Sequence, residues 1–245
     1  IAVIPGDGIG PDVVAEGVKV LRTLEDRFEI KFDFGEFDWG SEYYLKHKKM
    51  MPAEGLEILR HFDALYFGAV GHPEIPDHIT LHGLLLPIRR AFDQYVCLRP
   101  NTLYRGIRSP IRGKDSGSID LVVVRENTEG EYAPVGGSLY QDTPDEVAIQ
   151  SAVFTRRGTE RIIRYAFHVA GARDGKRRVT SVTKSNAQRH GMVFWDNVFA
   201  DVARDFPDIQ TESMLVDAAC MNLVRKPEAF DVIVENLLDE LAKGE

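Results

Sequence analysis

VVVRENTEGEY, residues 122–132, runs three valines straight into an arginine, a polar stretch, a glycine and a tyrosine. An apolar run of this kind fits a buried strand that stops at Arg125. A short Gly-containing loop from Arg125 to Tyr132 then places both side chains at an edge of a sheet, where ligands bind. A strand followed by a solvated turn explains the same letters, because arginine and tyrosine are common at surfaces. What lies on either side of the stretch therefore decides between the two.

Outward from it, strand-like and helix-like segments alternate. IAVI (1–4) leads into PGDGIG, and residues 11–24 carry Val13, Val14, Val18 and Leu21 at helical spacing, with Pro11 suited to a first turn. Residues 28–38 (FEIKFDFGEFD) read as a second strand, 41–48 and 53–59 as helices, 64–71 as a third strand and 84–94 as a helix. Downstream, 121–127, 147–155, 178–186 and 230–236 read as strands, and 159–170 and 192–205 as helices. This alternation predicts an α/β fold with a largely parallel sheet and helices on its faces. The character shifts after LRPN (98–101), so a domain boundary is expected near residue 99, with a second domain to about 225. The Gly- and Pro-containing segment 133–146 reads as a projecting loop or β-arm. Gly6, Gly8 and Gly10 form GxGxG, which differs from the dinucleotide-binding GxGxxG; a tight turn that brings backbone close to a ligand fits better.

A chain of 245 residues, 44% hydrophobic and 28% charged, has the composition of an ordinary globular protein of one or two domains. Its formal charge of −8 argues against nucleic-acid binding, which needs a basic face; KHKK (46–49) and GKRR (175–178) are too short to supply one. Cys97 and Cys220 are the only cysteines, and neither sits in a zinc-binding spacing, so a reduced cytoplasmic setting is expected. No apolar run approaches the roughly 20 residues of a membrane span, so no membrane partner is expected either.

Arg89 and Arg99 lie ten residues apart in IRRAFDQYVCLRP, and Arg125 is a third candidate. Guanidinium groups grip carboxylates through two parallel hydrogen bonds, so three near one pocket point to a di- or tricarboxylate. A surface ion pair is the alternative for each. Lys184 follows the strand VTSVT, where a partly buried amine can act as a base or neutralise an alkoxide. Asp217 lies in the apolar LVDAAC, where a charged carboxylate needs a cation or hydrogen bonds; a divalent metal would serve, and helix capping is the alternative.

Taken together, IPGDGIGPDVV, FGAVG, LLLPIRRAFDQYVCLRP, VVVRENTEGEY, TKSN and LVDAACMNLV followed by FDVIV resemble the β-decarboxylating 2-hydroxyacid dehydrogenases, the isocitrate/isopropylmalate dehydrogenase family, in order and spacing. The resemblance implies that family's two-domain α/β fold, without a Rossmann fingerprint. It implies a first domain of 1–98 to which 226–245 returns, and a second of 99–225 with a dimer arm around 133–146. It also implies a homodimer with shared active sites, NAD as cofactor, Mg2+ or Mn2+, and a small 2-hydroxy dicarboxylate substrate.

Carried over by position, Arg89, Arg99 and Arg125 match the carboxylate-binding arginines, with Leu85 and Leu86 beside the substrate. Tyr132 matches the tyrosine that protonates the carbon left by decarboxylation, and Lys184 the lysine of the proton relay. Ile9, Val70, Gly71 and Asn186 match cofactor-binding positions, and Asp217 a metal-ligand aspartate. The helix before Arg89 lacks the serine and asparagine of isocitrate enzymes and has His82 where isopropylmalate enzymes usually have glutamate. GLLLPIRRAFDQY is most similar to the tartrate/D-malate branch, which implies oxidative decarboxylation of D-malate and oxidation of tartrate. Cys97 stands where asparagine is usual. After FDVIV the family continues as NLFGDILSD and beyond, with two metal-site aspartates; here NLLDELAKGE offers Asp239 or Glu240 for the first of them, with Glu240 taken as the further metal ligand, no counterpart for the second, and the C-terminal part of the fold missing. Isopropylmalate oxidation, or a silent homologue that dimerises or regulates, are the alternatives.

Overall fold

AVIPG forms the first strand, β1 (Ala2–Gly6), at the centre of a parallel three-stranded sheet in the computed structural model, which describes residues 1–236. It lies between β2 (Gly35–Glu36) and β3 (Leu65–Ala69). The chain divides into two units, Ile1–Asp93 and the residues from Gln94 onward. In the first, α1 (Gly10–Phe28) follows β1 with proline in its first turn, and α2 (Ser41–His47) and α3 (Gly55–Leu59) precede β3. Ala2, Ile4, Trp39, Met50, Leu59, Leu84 and Ile88 form the buried core.

Two expectations for this unit change. The period-two pattern of 28–38 yields only a two-residue strand, and Phe32 and Phe34 ahead of it contact α1 in place of a ladder. The Glu25 carboxylate accepts the Phe32 amide at 2.7 Å, and the Arg22 guanidinium lies 4.3 Å from the Phe34 ring centre. The helix expected over 84–94 begins at Asp77: α4 (Asp77–Thr80) continues through a π-helical turn, Leu81–Leu85, into α5 (Leu86–Ala91). Such wide turns are rare and favour functional segments.

The second unit is built on a five-stranded sheet. Its order is β4 (Val96–Thr102), β5 (Asp120–Glu126), β10 (Val232–Glu235), β8 (Arg178–Thr183) and β9 (Gln210–Leu215). All neighbours are parallel except β4 against β5. One face packs on α6 (Arg156–Ala172) and α7 (Gly191–Ala203) around Val124, Phe167, Trp195 and Val234. The other packs on α8 (Val216–Arg225) through Leu121, Val182, Ala219 and Ile233. Between β5 and α6, β6 (Gly136–Leu139) and β7 (Val147–Gln150) pair as an antiparallel ribbon whose residues are all exposed.

The described part of 226–245 does not return to the first unit. β10 sits in the middle of the second sheet, and Val232, Ile233 and Val234 are fully buried between both helix layers. Three consecutive apolar side chains need cover on both faces, which a central strand supplies. The first unit also ends at Asp93, ahead of the expected boundary at 98, because VCLRPNT pairs with β5. That strand contains Pro100, which an edge position tolerates.

Candidate active site

RENTEGEY is tied down residue by residue at the carboxyl end of β5. Glu126 is buried, and its Oε1 accepts from Thr128 N at 2.6 Å, Thr128 Oγ1 at 2.8 Å and Glu129 N at 3.0 Å, closing the turn. The Glu129 carboxylate accepts from Thr155 N and Oγ1 at 3.0 and 2.6 Å, and Thr155 in turn caps α6 by accepting from Gly158 N. Gly130, with φ +68, bonds Val153 in both directions and lies under the Asn236 amide, whose Oδ1 would fall 1.8 Å from any Cβ there. Only glycine fits that contact. The loop thus returns Tyr132 to Arg125: the Arg125 Nη2 donates to the tyrosine hydroxyl, and the guanidinium carbon lies 4.7 Å from the ring centre.

Arg125 is buried and directly opposite Cys97 on β4, while Arg99 Nε donates to Cys97 Sγ at 3.3 Å. Residues 97, 99 and 125 therefore share one sheet face, the face covered by α8, by the two-residue repeat of strands. Lys184, just past β8, donates from Nζ to Asp217 Oδ2 at 2.5 Å. That ammonium holds the Asp217 carboxyl below its ordinary value. Asp217 is not embedded in apolar surroundings, as its sequence context suggested; its side chain is 66% exposed in the first turn of α8, whose sheet-facing side carries Val216, Ala219, Cys220 and Leu223. With β10 between β5 and β8, the Arg125–Tyr132 and Lys184–Asp217 pairs lie two strands apart, about 10 Å at the usual spacing. Asn186 is exposed in the turn after Lys184.

The remaining expected residues belong to the first unit. Arg89 lies half-buried in the last turn of α5, and Leu85 half-buried at the end of the π turn. Leu86 is 1% exposed and packs inward. Ile9 is 69% exposed at the start of α1, with Val70 and Gly71 half-buried after β3. Gly6 and Gly10 serve packing: a Cβ on either would meet backbone of Ala69 or Pro5 within about van der Waals overlap, 2.0 and 2.2 Å. Gly8 and Gly71 face open space.

Asp7 organises this loop and was not singled out by sequence. Its buried carboxylate accepts from Ser41 N at 2.8 Å, Ser41 Oγ at 2.5 Å and Gly71 N at 2.9 Å, joining the turns after β1, β2 and β3. A lone acid between two glycines was the available signal. Glu235, fully buried at the end of β10 directly opposite Arg125, was also missed. A carboxylate closing the run DVIV was its mark.

Residues 1–239 match the family model described as isocitrate/isopropylmalate dehydrogenase. The chain belongs to the isocitrate/isopropylmalate dehydrogenase family. Among curated relatives it is 54% identical, over 96% of its length, to an Agrobacterium vitis protein named "Probable tartrate dehydrogenase/decarboxylase". It is 49% identical, over 97% of its length, to the decarboxylating D-malate dehydrogenase of Escherichia coli K12. It spans 65% and 66% of those proteins. The crystal structure of isocitrate dehydrogenase from Methylococcus capsulatus superposes with a TM-score of 0.82 at 30% identity, covering 98% of this chain and 67% of that one.

Against that family, the two implied groups fare differently. Open backbone at Gly8 and Gly71 beside exposed Ile9, at the start of a 19-residue helix, suits part of a nicotinamide cofactor, whose phosphates favour helix N-termini. A metal is not accommodated by the described residues: no group of three His, Cys, Asp or Glu side chains among them converges, and Asp217 is paired with Lys184. Glu240, the other expected ligand, lies outside the described residues. No helix among the described residues is long and apolar enough to cross a membrane.

Proposed function

We propose that this chain carries out NAD-dependent oxidative decarboxylation of D-malate to pyruvate and carbon dioxide, and oxidation of tartrate, as a homodimer in the cytoplasm. The observation that carries the reading is the contact of Arg125 with Tyr132, beside Arg99, at the carboxyl edge of a parallel sheet. The names of the tartrate and D-malate relatives support the substrate class.

Arg99 and Arg125 hold carboxylate groups of a C4 dicarboxylate by charge-assisted hydrogen bonds. A nicotinamide cofactor, when bound, would supply the hydride acceptor for C2, and Lys184 is the base that takes the C2 hydroxyl proton. The resulting 2-oxo acid loses carbon dioxide as the bond to its distal carboxylate breaks, and the electron pair passes to an enolate. Tyr132, its hydroxyl accepting from Arg125 Nη2, keeps its own O–H to deliver to that carbon. The guanidinium stabilises the phenolate formed. Because Lys184 and Asp217 stand two strands away from this pair, they act in the partner's site under this reading, and the exposed β6–β7 ribbon is the arm that brings the partner. Mg2+ or Mn2+ requires ligands beyond Asp217.

The test is NADH formation by the full-length protein with D-malate, tartrate, isopropylmalate and isocitrate. D-malate and tartrate are expected to be used; turnover of isopropylmalate alone would overturn the substrate assignment, and no turnover of any by a folded dimer would leave a binding role. Tyr132→Phe should depress decarboxylation by about 10²–10⁴-fold while NADH formation falls less, with oxaloacetate accumulating. Equal loss of both steps would contradict the role given to Tyr132.

A further inference from the structure

Three side chains stand in one rank across β4, β5 and β10: Cys97, Arg125 and Glu235, each directly opposite the next. Side chains so paired share a face, with Cβ atoms about 4.5–5.5 Å apart. Glu235 is 0% exposed, and among the described residues neither of its carboxylate oxygens has a hydrogen-bond partner. Arg125 is 3% exposed and its Nε is likewise buried without an acceptor, although its Nη2 serves Tyr132. A buried donor and a buried acceptor of opposite charge thus face one another on adjacent strands without being bonded. Leaving either unmade is costly, so the arrangement is poised to change with its contents.

We propose that Glu235 is a positioning residue for the substrate-binding arginines: ionised, it competes for Arg125, and when a substrate carboxylate docks there it takes up a proton from solvent and yields the guanidinium. The inference rests on the reading of Arg125 as a carboxylate-binding residue. Burial pushes the Glu235 carboxyl well above its ordinary value, and Cys97 adds to the push, while the charges of Arg125 and Arg99 partly offset it. The other ionisable groups on this face include Tyr132 beside Arg125, Lys184 of the β8 end, bonded to Asp217 of α8, Glu212 of β9 opposite Thr180, and Asp231, paired with Arg173 before the start of β10. Glu126 points to the opposite face and closes its own turn. Two carboxylates cannot both be charged beside one desolvated guanidinium without large cost, so binding of one favours protonation of the other. Linkage requires the converse: above the Glu235 pKa, dicarboxylate affinity falls by up to about tenfold per pH unit.

Calorimetric titration of the full-length protein with D-malate, in buffers of different ionisation enthalpy from about pH 6 to about pH 9, reads both quantities. The native protein should take up protons on binding toward the alkaline end, with affinity falling there. Glu235→Gln, similar in shape and neutral throughout, should bind with a flat profile and no Glu235-linked uptake. Identical uptake and slope in the two proteins, or a uniform loss of affinity in Glu235→Gln with the native slope, would overturn the proposal. Infrared difference spectra without ligand separate it from the underlying reading. A buried carboxylic-acid carbonyl band that titrates in the native protein and is missing in Glu235→Gln supports a Glu235 that changes charge, and its absence from the native protein at every pH overturns that. Failure of D-malate to bind the native protein at any pH would remove the carboxylate reading and this inference with it.

Discussion

Asp7 and Glu235 are buried carboxylates at the ends of parallel strands, one in each unit, with opposite surroundings. Asp7 accepts three hydrogen bonds that join the loops after β1, β2 and β3, whereas Glu235 accepts none from the described residues. Asp7→Asn turns one oxygen from acceptor to donor against Ser41 or Gly71, so a loss of about 1–3 kcal/mol is expected. Denaturant titration measures it, and weaker NAD binding should accompany it. For Glu235 the direction of pH dependence follows from its raised pKa. Above the ordinary value of 4.5 the unfolded chain releases this proton while the folded one retains it. Stability from this group is therefore full below 4.5 and is lost as pH rises through the folded pKa. Glu235→Gln escapes that loss, so its melting temperature should gain on the native protein as pH increases from that point. A gap that stays constant with pH would count against a buried, titrating Glu235.

At the scale of elements, the β6–β7 ribbon stands out because nothing described covers either face. Leu139, Val147 and Ile149 are 59%, 42% and 57% exposed, and a lone two-stranded ribbon is marginal in water. Ile149→Asp should leave the thermal stability of the folded protomer within about 0.5 kcal/mol. It should shift the protein from dimer toward monomer in sedimentation velocity. An unchanged dimer would remove the ribbon from the interface. The β-arm over 133–146 was legible as a projection from its glycines and prolines, but the second strand of the ribbon, at 147–150, was read as part of a longer strand. Edge strands were hard to read: β4 and β9 carry polar residues or proline and reveal themselves only through pairing.

The whole molecule holds two separate cores, and each contains one of its two tryptophans, Trp39 in the first unit and Trp195 in the second. The first core rests on a three-stranded sheet and the second on five strands between two helix layers. Less buried surface gives lower stability. Fluorescence of Trp195→Phe and Trp39→Phe variants in urea should give an earlier midpoint for Trp39 than for Trp195. Coincident midpoints would show a single cooperative transition.

By itself, the sequence determined the alternating α/β pattern and the segments VVVRENTEGEY, PGDGIG and TKSN. Those depend on local rules: apolar runs that must be buried, glycines at turns, and polar residues where strands stop. It also offered Arg125, Tyr132, Lys184 and Asp217 as candidates one by one. Only the tertiary structure decided which of them touch, pairing Arg125 with Tyr132 and Lys184 with Asp217 and separating the pairs by a strand. It placed FDVIV at the centre of the second sheet, where the sequence assigned it to the first domain, and turned Leu86 into the core. Strand order and side-chain pairing depend on contacts between residues as far apart as 125 and 235, and no local pattern encodes the partner of a strand.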